Sequence, residues 1–164
     1  MAAAEPVSPI YAYRRTENLR HHYERLARLP QGIVATGDAV CAFNPVYGQG
    51  MSACALAAEA LNEILLEVEP GPGFARHFQK KLAAVHEDPW LLATGEDYRW
   101  PTTEGGQRNW TTLLLHRYFD QVLRLIPHDQ QTARTFLEVM HLVTPPKVLF
   151  RPAILARVFR QSVT

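Results

Sequence analysis

Residues 37–51, GDAVCAFNPVYGQGM, constrain this chain more than any other stretch. They lie between a short apolar run, GIVAT, and an alanine-rich helical pattern, SACALAAEALNEILLEV. A connection between two such elements ordinarily takes about two to six residues of no special chemistry. This one carries Gly37, Gly48 and Gly50, together with Asp38 and Pro45. QGIVATGD reads as a β-strand closed by Gly37, which puts the Asp38 carboxylate at the carboxyl edge of a sheet, where open α/β folds bind ligands. Asn44-Pro45 is a turn signal with one backbone angle set by the proline ring. Gly48 and Gly50 flank Gln49 at the start of the next helix, where glycines allow unusual dihedrals and leave bare backbone.

The rest of the chain predicts helices. RTENLRHHYERLARLP places Leu19, Tyr23, Leu26 and Leu29 at helical spacing and stops at Pro30. Its basic residues, Arg14, Arg15, Arg20, Arg25 and Arg28, read as a solvated face. The helix after the glycine-rich stretch sets Leu56, Ala60, Leu61, Ile64, Leu65 and Val68 on one side, with Ala53, Ala55, Ala57 and Ala58 small enough for a neighbouring backbone to approach; EPGPG ends it. Phe74, Phe78, Leu82 and Val85 form a further stripe, DPWLLATGEDYRWP a break with some helical character. Trp110, Leu114, Tyr118, Val122 and Leu125 share a face, and Asp129 is suited to cap the helix that follows. A short helix is expected after Pro152. The fold class is thus mainly α with one or two short strands near the N-terminus, organised as residues 1–70 and a helical region 71–164 packed against them. A lone strand cannot satisfy its own backbone; it needs a partner in this chain or in something absent from it.

Bulk properties exclude several classes. The 164 residues suit one core-forming domain, with 47% apolar and 20% charged residues and a net charge of +1. That charge balance recruits neither nucleic acid nor an anionic membrane. No apolar run approaches the ~20 residues of a membrane span, and the start lacks the pattern of an export signal, so a cytoplasmic location is expected. Cys41 and Cys54 are too few and wrongly spaced for a disulfide scaffold or a metal pair and read as buried or half-buried free thiols. The seven histidines form no H-E-x-x-H run, so no metal site is expected. No G-x-S-x-G elbow or Walker lysine is present. Trp90, Trp100, Trp110, Tyr118 and Phe119 read as packing residues.

A carboxylate that accepts hydrogen bonds from vicinal hydroxyls, a rigid proline wall, a glycine-lined surface and a positive helix end suit a ligand with a polyol chain and an electron-accepting ring. Flavin fits: ribityl hydroxyls can meet Asp38, and a pyrimidine oxygen can meet amides near Gly50 and Met51.

At these residues, GDAVCAFNPVYGQGM with its alanine-rich helix resembles the second flavin-contacting motif of FAD-dependent monooxygenases of the aromatic-hydroxylase type and of related FAD-dependent oxidoreductases. YRRTENLRHHYERLARLPQG resembles the lead-in to that motif in a subgroup, so the likeness covers roughly residues 10–68. It implies a Rossmann-type FAD-binding fold, a ribityl contact at Gly37 and Asp38, Pro45 beside the isoalloxazine ring, and amides of Gly48, Gln49, Gly50 and Met51 at the pyrimidine edge. It names no catalytic side chain. It implies hydroxylation or epoxidation of an apolar or aromatic small molecule, with NAD(P)H or a partner reductase as electron source. Desaturation or reduction of a polyprenyl-like substrate is open on the same scaffold.

Two departures stand out. Cys41 occupies a place where the hydroxylase form often has histidine, and no strand-G-x-G-x-x-G-helix unit precedes the motif. The resemblance therefore implies the C-terminal portion of a flavoprotein without its dinucleotide-binding half, binding FAD weakly or not at all and inactive alone. The other reading is a non-catalytic helical interaction module, a homo-oligomer, or a subunit completing a flavin site with a separate N-terminal flavoprotein half.

Overall fold

The computed structural model describes residues 7–12, 16–106 and 109–161. Among them the chain is mainly helical, with a two-stranded antiparallel sheet near the N-terminus. Strand β1 (Leu19–Arg20) pairs with β2 (Cys41–Ala42), Leu19 opposite Ala42 and Arg20 opposite Cys41. Six α-helices follow: α1 (Gly50–Glu67), α2 (Phe74–Val85), α3 (Glu87–Asp97), α4 (Trp110–Leu125), α5 (Gln130–Met140) and α6 (Pro152–Gln161). None is long and apolar enough to cross a membrane.

The N-terminal elements differ from the sequence expectation. The stretch expected as a helix up to Pro30 instead forms β1 and one 3-10 turn, Tyr23–Arg25. A helix this short has little intrinsic stability, and tertiary bonds win. Arg20 is no solvated residue: its side chain is 6% exposed, donating to the Ala83 carbonyl (2.9 Å) and pairing with Glu87 (2.8 Å). Arg14 and Arg15 lie outside the described residues. The strand expected at 31–38 is not formed; Ile33–Thr36 belongs to no regular element, and Gly37–Ala39 is a 3-10 turn. Strand pairing falls just downstream, where His21 N–H also reaches the Val40 carbonyl (2.8 Å).

Two apolar cores organise the helices. The first joins Val40, Ala57, Ile64, Phe78 and Leu82, with Tyr23, Val34, Ala35, Leu61 and Phe74 packed against it. Helix α1 contributes Ala53, Ala57, Ala60 and Ile64 as its buried stripe, so its alanines let α2 and the 37–39 turn come close. Leu65 and Val68, expected inside, are exposed. Met51, Ala55, Ala58, Leu65 and Leu66 make the outward side apolar as well. In α2 the buried set is Ala75, Phe78, Gln79 and Leu82, with Val85 only partly covered.

The second core gathers Val122, Leu125, Val139, Val148, Leu149, Ile154 and Val158 from α4, α5, the 3-10 turn Pro146–Phe150 and α6. Tyr118 stacks on Phe150 and donates to the Leu149 carbonyl (2.5 Å). Asp129 caps α5 as expected, accepting from Thr132 N–H (2.7 Å), a contact worth about 1 kcal/mol. The expected α4 face holds only in its last turns. Trp110 and Leu114 are 74% and 58% exposed, whereas His116 is buried and bonds the Gly95 carbonyl (2.8 Å). Most of the segment read as a break with some helical character, residues 88–101, lies in the continuous helix α3, which runs to Asp97 because Pro89 sits in its first turn, where a missing N–H costs nothing.

Candidate functional site

The motif is built almost wholly from local turn chemistry. Gly37 adopts φ +59°, a left-handed conformation, and opens the 3-10 turn that holds Asp38. A Cβ placed on Gly37 would lie 3.6 Å from Cys54 Sγ, so this turn rests on the first turns of α1. Asp38 is exposed, and among the described residues no donor pairs with its carboxylate. Asn44 then folds its own side chain over the next turn, accepting from Val46 N–H (3.1 Å), while Pro45 begins a 3-10 turn that ends at Tyr47. Gly48, at φ +67° and ψ 10°, reverses the chain into α1. The first bond of that helix runs from Ala53 N–H to the Gln49 carbonyl (2.9 Å), which leaves the N–H groups of Gly50, Met51 and Ser52 without an intrahelical acceptor.

The sequence-expected residues therefore meet at one helix end, in different environments. Asp38, Pro45, Gly48 and Met51 are exposed, Gly37 and Gly50 half-buried, and Gln49 buried. Met51 is 87% exposed and Val46 76%, so the apolar side chains around the glycines face outward. No heavy atom lies within 4 Å of where a Cβ on Gly48 or Gly50 would sit, so the surface in front of both is open. Gln49 is 2% exposed, and its Oε1 has no hydrogen-bond partner among the described residues.

A polar network that the sequence did not reveal anchors the loop from below. Asn18 accepts from Asn44 N–H (2.7 Å) and donates to Asp97 Oδ2 (2.5 Å). Tyr47 donates to the other oxygen of the same carboxylate. Burial, followed by this bond to Asp97, raises the Tyr47 hydroxyl above its ordinary pKa, so it remains a neutral donor. Tyr47 sits inside the motif, but no spacing rule links Asn18 or Asp97 to it. Asp97→Ala strands both donors and is expected to lower stability by about 1–3 kcal/mol, read as a shifted urea midpoint. An unchanged midpoint would show that the network does not hold the loop.

Cys41 and His86 lie behind the site rather than in it. Cys41 is buried, and burial pushes its thiol up to about 12, with the Asp38 charge adding to the shift against the pull of Arg20. Such a thiol is no nucleophile at neutral pH. Cys54, in contrast, is exposed. His86 is 1% exposed and packs edge-on against Phe43, with its Nδ1 unpaired among the described residues. Among the described residues no cluster of three or more His, Cys, Asp or Glu is placed to hold a metal ion.

Comparison with known proteins gives a distant relative. No protein-family model matches the chain. It is 29% identical over 147 residues to Protein Rv3254 of Mycobacterium tuberculosis (strain ATCC 25618 / H37Rv), an alignment that covers 87% of this chain but 31% of that protein. The chain thus spans less than a third of the length of the curated relative it matches, and its own architecture is a mainly helical chain with a two-stranded sheet.

Proposed function

We propose that residues 37–51 form one wall of an FAD site, and that the chain is the C-terminal, flavin-contacting portion of a Rossmann-type FAD-dependent oxidoreductase of the monooxygenase or hydroxylase type. Its substrate class is an apolar or aromatic small molecule, with NAD(P)H or a partner reductase supplying electrons. The observation that carries this reading is the packing of the Gly37–Ala39 turn on α1 beside an open, glycine-lined helix start.

The residues present fit the group on one side. The free carboxylate of Asp38 can accept hydrogen bonds from ribityl hydroxyls, and Gly37, at φ +59°, supplies the left-handed backbone that opens the turn carrying it. Pro45 supplies a rigid edge, and Gly48 and Gly50 leave room for a flat ring that side chains would obstruct. The N–H groups of Gly50, Met51 and Ser52 present a positive helix end to a carbonyl or anionic edge. This favours negative charge by about 0.3–1 kcal/mol. When bound, flavin supplies the redox and oxygen chemistry, and the protein orients it and excludes water. One wall excludes little water, so the chain alone is expected to retain no flavin through purification and to turn nothing over.

NMR titration of the chain with FAD tests the site directly. The amides of Gly48, Gly50, Met51 and Ser52 should shift at millimolar FAD, and Asp38→Ala should reduce those shifts several-fold. Unmoved amides, or shifts indifferent to Asp38→Ala, would remove the flavin assignment. A second reading, a helical module that completes a site with another chain, is favoured by the outward exposure of Met51 and Val46.

A further inference from the structure

The turn that carries Pro45 and Gly48 is shaped by local bonds. Val46 N–H donates to Asn44 Oδ1 (3.1 Å), Tyr47 N–H to the Asn44 carbonyl (3.2 Å) and Gly48 N–H to the Pro45 carbonyl (3.1 Å). Such bonds fix the form of the turn but not where it lies against the start of α1. Among the described residues two hydrogen bonds tie residues 44–48 to distant chain, and both lead to Asp97. Before Pro45, Asn44 N–H donates to Asn18 Oδ1 (2.7 Å), and Asn18 Nδ2 donates to Asp97 Oδ2 (2.5 Å). After it, the Tyr47 hydroxyl donates to Asp97 Oδ1. One carboxylate therefore grips the proline turn at both ends, with one oxygen for each.

Nothing local to α3 calls for this charge. Asp97 is the last residue of the helix, whose last turn holds no basic residue, and a helix C-terminus disfavours a negative group. Arg99 pairs with Glu96 and Asp120, and no cation pairs with Asp97 among the described residues. The two donors do call for it. Asn18 must accept from Asn44 with Oδ1, so it turns its amide donor to Asp97, and a carboxylate can accept there and from Tyr47 together. Phe43 leans on the same helix, its ring 6.4 Å from that of Trp90.

We infer that Asp97 is a positioning residue of the candidate flavin wall, setting Pro45 and Gly48 against the start of α1 by holding the turn at Asn44, through Asn18, and at Tyr47. The assignment rests on the flavin reading for its ligand and on this network for its geometry. It makes the helical region 71–164 a contributor to a site whose recognisable motif lies wholly outside that region.

The test titrates the chain with FAD and follows the amides of Gly48, Gly50, Met51 and Ser52. Asp97→Leu, close in size but without an acceptor, should cut their FAD-induced shifts about ten-fold. Asp97→Asn can still accept from Asn18 and donate to the Tyr47 oxygen, and should keep the shifts within about three-fold of the original chain. Val139→Ala, a truncation in the second core, lowers stability without touching the network and should leave them unchanged. Tyr47→Phe releases one end only; it should cut the shifts about three-fold, and it decides the matter if Asp97→Leu does not fold. Shifts in Asp97→Leu, or failing that in Tyr47→Phe, equal to those of the original chain would overturn the assignment and leave the flavin reading standing. Equal losses in Val139→Ala and Asp97→Leu would overturn it too, since Asp97 would then act through stability alone. Amides of the original chain that ignore FAD would overturn the flavin reading and this assignment with it.

Discussion

Phe78→Ala should lower the stability of the chain by about 3–5 kcal/mol, the largest loss expected from any single truncation here. Phe78 is fully buried where α2 meets α1 and the Val34–Val40 segment, against Ala57, Ile64 and Leu82. Of its α1 neighbours Ala57 is small and Ile64 is β-branched and stiff, so little side-chain volume can swing into the cavity. Phe78→Leu keeps most of the volume and should cost less than half as much. Urea denaturation followed by circular dichroism measures both. The truncation should also disturb the glycine-rich loop, because the same packing holds α1 against the turn that carries Asp38. A loss below about 1 kcal/mol would mean that the N-terminal core is not organised around this ring.

Acidification supplies the second large effect. Burial, and then the nearby Arg20 charge, lower the His86 pKa from 6.5 to about 4. The unfolded chain therefore takes up this proton first as the pH falls. Stability from the neutral imidazole is complete above about pH 6.5 and is lost progressively down to about pH 4, by a total of roughly 3 kcal/mol. Urea midpoints across that range should fall with a slope that His86→Leu removes. The lowered carboxyl groups Glu24 and Asp129 act below their ordinary values of 4.5 and 3.8, beneath most of the window. An identical slope in His86→Leu would assign the pH dependence elsewhere.

Burial in this chain followed helical periodicity only where a second element lay opposite. The last turns of α4 bury Val122 and Leu125 because α5 and α6 meet them, whereas Trp110 and Leu114, on the same periodic face, stay 74% and 58% exposed. In α1 the spacing favoured Leu65 and Val68, yet the stripe that packs is Ala53, Ala57, Ala60 and Ile64, since close approach of α2 requires small side chains. The expected strand at 31–38 had the right composition but, among the described residues, no partner strand. Pairing went to Cys41–Ala42, where Leu19–Arg20 is held in reach by the buried guanidinium of Arg20.

What the amino-acid order determined alone is the loop that carries the candidate site. Asn44 over Val46, the proline-led turn, left-handed Gly37 and Gly48, and the Asp129 cap each follow from one residue and its immediate neighbours, so their turn chemistry is legible from local order. Only the tertiary structure decided that Asn18 and Tyr47 share the carboxylate of Asp97, that Arg20 is buried, and that Ile33–Thr36 joins no strand among the described residues. Those outcomes depend on contacts between residues far apart in the chain, and local spacing carries no term for a partner that folding alone brings near.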